Sequence, residues 1–194
     1  MKVDIISDKT PFGEFFHVRK SVLRFEYFDG TMSPEVTRFS FEKSDAIAVL
    51  VHHVSRDAYI LVKQFRFPRV HHNLDPWMIE IVAGGISEGE DEVTAAHREV
   101  IEECGYSPMK LEKISFFYVS PGILSERITL FLAEVDESSK IDEGGGSKFE
   151  HEDIELVWIP RNEAMQWLKA QEIGDAKTFI ALQWHHLQML NVKC

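Results

Sequence analysis

Arg98-Glu99-Val100-Ile101-Glu102-Glu103 crowds three carboxylates and one guanidinium into six residues. On a helix, where successive side chains advance by about 100°, Glu99 and Glu103 stack one turn apart and Glu102 lies roughly 60° to the side of Glu99. Val93, Ala96, Val100 and Cys104 then form the adjoining apolar stripe, so one face packs and its neighbour carries the acids. Like charges four residues apart repel by a few tenths of a kcal/mol. A hard divalent cation between them removes that cost and takes oxygen ligands by preference. A plain solvated acidic face would be the alternative for these residues alone.

The flanks supply elements that can hold this helix in place. Asp91 is a ready N-cap, Gly105 a ready terminator, and the helix between them is expected from about Glu92 to Cys104. A strand from Met78 to Val82 runs into Ala83-Gly84-Gly85. Further strands are expected at Phe15–Val18, Val22–Tyr27, Ala46–Val51, Tyr59–Val62, Ile114–Val119, Ile128–Val135 and Ile154–Ile159. Asp142 to His151, polar and glycine-rich, reads as a mobile loop. Helices follow at Asn162–Lys169 and about Asp175–Leu190. The pattern is α+β, or an α/β/α sandwich around a mixed sheet, with residues 1–42 as a small N-terminal β subdomain and 43–194 as the main domain.

Composition limits the partners. The chain has 21 Lys+Arg against 32 Asp+Glu, a formal charge of −11 that opposes binding of nucleic acid. An anionic small molecule is still admissible where bound cations invert the local field. The two cysteines, Cys104 and Cys194, form neither a metal-ligand spacing nor a disulfide framework. No apolar run reaches the roughly 20 residues that span a bilayer, and the first residues lack a signal-peptide core, so a cytoplasmic protein without membrane contact is expected. The pairs His52-His53, His71-His72 and His185-His186 lack zinc spacing and read as loop or surface histidines.

Read together, Gly84-x5-Glu90-x7-Arg98-Glu99-Val100-x-Glu102-Glu103-x-Gly105-Tyr106 resembles the Nudix box at every fixed position. That resemblance implies a loop-helix-loop that binds divalent metal, Mg²⁺ with Mn²⁺ as the alternative, and an enzyme that cuts a nucleoside diphosphate linked to a further moiety. Glu99 and Glu103 are the metal ligands it implies, ahead of Glu102, with Glu90 structural. The Ala83 carbonyl joins them where Gly84 lets the chain pass close. Arg98 is placed to hold Glu102 by a charge-assisted bond.

Beyond the box the chain is similar to ADP-ribose pyrophosphatases and GDP-mannose hydrolases from about Phe15 to Gln188. The fold implied is an α/β/α sandwich with a small antiparallel N-terminal sheet, exchanged between the two copies of a homodimer. Pro121 lies fifteen positions beyond Tyr106, where a proline marks ADP-ribose-type substrates. The same resemblance assigns substrate contacts to Phe16, Arg38, Lys43, Arg66, Gly85, Ser120, Gly122 and Glu126. It makes Glu150 the catalytic base and Glu152 a further metal ligand, the two being exchangeable in role. Gly144-Gly145-Gly146 resembles instead the GDP-mannose and UDP-sugar branches. The expected reaction is hydrolysis of ADP-ribose to AMP and ribose 5-phosphate, with GDP-mannose or UDP-sugar hydrolysis, or a non-catalytic nucleotide sensor, as alternatives.

Overall fold

The computed structural model describes residues 2–13, 17–147, 151–170 and 174–190. The chain divides into two compact units, Met1–Asp45 with Phe117–Arg127, and Ala46–Phe116 with Ile128–Cys194. The smaller unit is therefore discontinuous, which a single cut after residue 42 does not anticipate.

In the smaller unit β1 (Val3–Gly13), β2 (His17–Phe25) and β3 (Val36–Glu42) form an antiparallel sheet in that order. Neither β1 nor β3 was among the expected strands. Most of β1 is exposed, and Asp4, Asp8 and Lys9 interrupt any alternation, so its register on β2 comes from backbone pairing with a bulge rather than from an apolar face.

In the larger unit β4 (Ala46–His53) lies between β5 (Ala58–Phe65) and β9 (Arg127–Val135), with β10 (Glu155–Pro160) outside β5 and β8 (Lys110–Tyr118) outside β9. The β4–β9 pair is parallel; β4–β5 and β5–β10 are antiparallel. Both faces of β4 are covered, so Ile47 to Val51 read as a continuous apolar run. Ile47, Val49 and Val51 pack with Ala95, Ala96, Val100 and Cys104 of helix α1 (Glu92–Cys104). Helix α3 (Ala176–Met189) also packs on β4, and the short α2 (Ala164–Lys169) packs on α3.

The run Met78–Val82 is two strands rather than one. β6 (Trp77–Glu80) pairs with β5, and β7 (Val82–Gly85) pairs with β4. Between them the Ile81 N–H donates to Thr178 Oγ1 at 2.8 Å, so the chain changes partner without leaving a buried donor unpaired.

Two expectations are corrected. Residues 142–147 are not a free loop: the Gly145 and Gly146 N–H groups each donate at 3.0 Å to the carbonyls of Glu103 and Glu102, closing the C-terminal end of α1. Gly144, Gly145 and Gly146 all have positive φ, and a Cβ on Gly144 would meet the Glu103 carbonyl oxygen at 2.5 Å. Nor are His53 and His185 surface residues; both are buried. Adjacent side chains on β4 diverge, His53 between Tyr106 and Trp158 and His52 toward His185. Burial raises the Tyr59 phenol to about 12, and its hydroxyl shares a hydrogen bond of 2.7 Å with His185 Nδ1.

Candidate active site

Helix α1 begins where Asp91 accepts from the Val93 and Thr94 N–H groups and ends where Gly105, at φ 77°, donates to the Ile101 carbonyl. Its apolar stripe faces the sheet, and that sets the depth of its acids. Glu99 is 9% exposed and Glu103 1%, while Glu102 is exposed.

Glu99 lies directly over Gly84 of β7, where a Cβ would sit 1.8 Å from Glu99 Oε1. Only the absent side chain lets strand and carboxylate come this close. Burial pushes the Glu99 carboxyl up, opposed by Arg98 at 2.7 Å. Glu103 is pushed well above the usual carboxylate range, first by burial and then by the charges of Glu99 and Glu152; a backbone hydrogen bond from Ala83 and the Arg66 charge oppose this. Its Oε2 is buried and accepts no hydrogen bond among the described residues.

Arg98 organises the rim. Its Nε and Nη2 grip the two Glu90 oxygens at 2.9 and 3.0 Å, Nη2 also reaches the Gly85 carbonyl at 3.0 Å, and Nη1 reaches Glu102 at 3.1 Å. Glu90 in turn accepts from the Ser87 N–H. The loop between β7 and α1 is thus tied to the helix by a fork that also fixes the Glu99 carboxylate.

Glu152 is held at both oxygens, Oε1 by Gln64 Nε2 at 3.0 Å and Oε2 by the Ser147 N–H at 2.9 Å. Arg66 grips Glu80 through Nε and Nη2 at 2.6 and 3.1 Å. Glu80 is 2% exposed and also takes Lys177 at 3.1 Å; Lys177 reaches Asp175, which caps α3. Sequence reasoning missed Gln64, Glu80 and Lys177. A signal existed for Glu80, a lone acid inside the apolar run Met78-Ile79-Glu80-Ile81-Val82.

A divalent cation suits this donor set. A buried oxygen without a donor is costly, mutually repelling carboxylates need positive charge, and all the groups offered are hard oxygens. Among the described residues no three such side chains already converge as a finished cage; Arg98, Gln64 and Ser147 hold Glu99 and Glu152 meanwhile.

The expected residues fall into two groups. Ala83, Gly85, Glu99, Glu103, Glu152 and Arg66 belong to the larger unit, and Arg38, Lys43, Ser120, Gly122 and Glu126 to the smaller. In the smaller unit Lys43 Nζ lies 2.5 Å from Glu126 Oε1, and its backbone N–H donates to Ser125 Oγ at 3.0 Å. Its charge is therefore already matched by a buried acid. Arg38 is exposed, with Nη1 on the Thr37 carbonyl. The Ser120 carbonyl accepts from Ile123 and Leu124, forming a turn beside a cavity of about 420 Å³ lined by Tyr118, Pro121 and Gly122. Phe16 and Glu150 lie outside the described residues.

Comparison with known proteins finds relatives along nearly the whole chain. An ADP-ribose pyrophosphatase of Escherichia coli (strain K12) is 36% identical over 97% of this chain and 91% of its own length. A GDP-mannose pyrophosphatase of Cronobacter sakazakii is 35% identical over 99% and 98%. The crystal structure of an ADP compounds hydrolase superposes with a TM-score of 0.74 at 20% identity, covering 100% of this chain and 98% of that one, a likeness of fold. The NUDIX domain model matches residues 43–182, the span that carries β7, α1, Glu99 and Glu103, and by that match the chain belongs to the NUDIX family.

Proposed function

We propose that this chain is a divalent-metal-dependent pyrophosphatase acting on nucleoside diphosphate sugars, with ADP-ribose, cleaved to AMP and ribose 5-phosphate, as the leading substrate. The observation that carries the reading is the buried Glu103 carboxylate, one turn from buried Glu99, with one oxygen that has no hydrogen-bond partner among the described residues. Glu99, Glu103 and Glu152 would hold the metal, with the Ala83 carbonyl. Bound there, Mg²⁺ or Mn²⁺ supplies positive charge to phosphate oxygens and lowers the pKa of a water.

The chain's own groups do the rest. Arg66, held by Glu80 through one side of its fork, offers its remaining N–H groups to a phosphate oxygen. Arg98 keeps Glu99 from swinging away. Glu150, two residues from Glu152, is the base in this reading. The names of the relatives support both ADP-ribose and GDP-mannose. The triple glycine, whose backbone closes α1, keeps GDP-mannose and UDP-sugars as the alternative substrates. A homodimer with exchanged N-terminal sheets belongs to the same proposal, supported by exposed Val3, Ile5, Ile6, Phe39 and Phe41. So does a cytoplasmic location; among the described residues no helix is long and apolar enough to cross a membrane.

The test is product analysis with ADP-ribose, GDP-mannose, UDP-glucose and dGTP side by side, using the wild type and Glu103→Gln. The wild type should release AMP from ADP-ribose in a Mg²⁺-dependent manner. Glu103→Gln should fold and lose at least about 100-fold in rate. Undiminished turnover by that variant would sink the assignment.

A further inference from the structure

We propose that Gln64 is a positioning residue that sets the reach of the Glu152 carboxylate, and that the glycine run 144–146 locks the other half of that setting to helix α1. The inference rests on the reading of Glu152 as a metal-side ligand.

Gln64 is 8% exposed near the end of β5, two residues before Arg66 and so on the same face of the extended chain. A carboxylate can only accept, so the Gln64 amide turns its nitrogen to Glu152 Oε1. The second oxygen is fixed separately. Ser147 N–H donates to Oε2, and the Glu152 N–H returns to the Ser147 carbonyl at 3.2 Å. Gly146 passes so close that a Cβ there would lie 2.8 Å from both Glu152 Cβ and Oε2. Gly145 and Gly146 meanwhile bond to the carbonyls of Glu103 and Glu102. One oxygen of Glu152 is thereby referred to the sheet, and the other to the helix that carries Glu99 and Glu103.

The chemistry of the partner matters as much as its position. Lys or Arg at residue 64 would neutralise Glu152 and compete with a cation, and Glu would repel it. A neutral donor orients the carboxylate and leaves its charge available, which is what an outer partner of a metal ligand does.

The test combines Gln64→Leu and Gln64→Met, each in the wild type and in Glu152→Gln. Met keeps the length of the side chain and removes only the amide, so it is the readable variant if Leu impairs folding. Mn²⁺ binding to substrate-free protein, followed by electron paramagnetic resonance, should weaken about 10-fold on loss of the amide. The Mg²⁺ concentration for half-maximal turnover should rise in parallel, while KM for ADP-ribose at saturating Mg²⁺ moves less than about twofold. In the Glu152→Gln background the same substitutions should add nothing, because their effect runs through Glu152. Equal losses in both backgrounds, or unchanged Mn²⁺ binding in folded Gln64→Met, overturn the proposal. A wild type that binds Mn²⁺ but hydrolyses no nucleotide sugar would sink the proposed function and leave the Gln64–Glu152 coupling readable in Mn²⁺ binding. A wild type that binds no Mn²⁺ overturns both.

Discussion

Gly84→Ala isolates the contact between strand and carboxylate on which the site is built. Gly84 is not at positive φ, so alanine strains no backbone there and the added methyl group is the whole perturbation. That methyl would sit 1.8 Å from Glu99 Oε1, 2.0 Å from Cδ and 2.6 Å from Oε2, whereas real Cβ contacts essentially never fall below 3.0 Å. The carboxylate must therefore retreat by more than about 1 Å. It is the far end of a flexible side chain, so the fold can yield; the main loss is the bond to Arg98, on the order of 1–3 kcal/mol. At roughly 2–4 °C per kcal/mol for a chain of this length, the melting temperature should fall by less than about 12 °C. Catalysis should suffer far more. A misplacement of about 1 Å costs on the order of 100-fold. Steady-state hydrolysis of ADP-ribose across a Mg²⁺ titration, with melting followed by circular dichroism, measures both. Turnover within about threefold of wild type would refute the idea that Gly84 places Glu99, and a chain that no longer folds would make Gly84 a stability residue.

Gly144→Ala should behave in the opposite way, because its Cβ would meet backbone atoms, 2.5 Å from the Glu103 carbonyl oxygen and 2.7 Å from the Cys104 carbonyl carbon, at φ +72°. Left-handed strain and overpacking together cost about 2–4 kcal/mol. Urea unfolding should reveal this loss, with Gly85→Ala, whose Cβ meets nothing within 4 Å, as the neutral control; equal midpoints would argue against the docked glycine run. A separate prediction concerns acid stability. Burial, with His52 and Arg161 nearby, lowers His185 from 6.5 to about 4. The unfolded chain therefore takes up a proton that the folded one refuses, so this contribution is complete above pH 6.5 and is lost as pH falls toward 4, on the order of 2–3 kcal/mol. Glu99 and Glu103 are raised and act in the opposite sense, so the readable quantity is the difference between wild type and His185→Gln in urea midpoints from pH 7 to 4.5. A difference that does not change with pH would contradict the buried neutral imidazole.

Much of the fold was legible because its signals are local. The span of α1, its Asp91 cap and its Gly105 stop follow from residues next to one another, and the apolar runs of β4, β5 and β9 mark strands covered on both faces. Where the pattern was weak the reading failed. β1 has little apolar alternation to show, and β6 and β7 look like one strand because a change of partner at Ile81 leaves no trace in hydropathy. The glycine run 144–146 suggested freedom by composition, yet it is glycine because three successive residues adopt positive φ against the end of α1. The buried histidines misled for a related reason, since a polar residue shows its burial only through distant partners, as His53 of β4 does through Tyr106 and Trp158 and His185 of α3 through Tyr59.

The sequence by itself determined the chemistry on offer: three carboxylates and an arginine at helical spacing, glycines where the chain must pass closely, and a length and charge suited to a metal-assisted reaction on a small anion. Only the tertiary structure decided which of those carboxylates are buried and what holds them. Among the described residues one Glu103 oxygen has no partner because α1 packs its apolar stripe on the sheet and buries that carboxylate, and Glu102 stays outside for the same reason. Gln64 meets Glu152 across 88 residues, and Lys177 meets Glu80 across 97. Periodicity describes neighbours within a turn or a strand, whereas pairings at such separation exist only once the sheet has closed and brought their elements side by side.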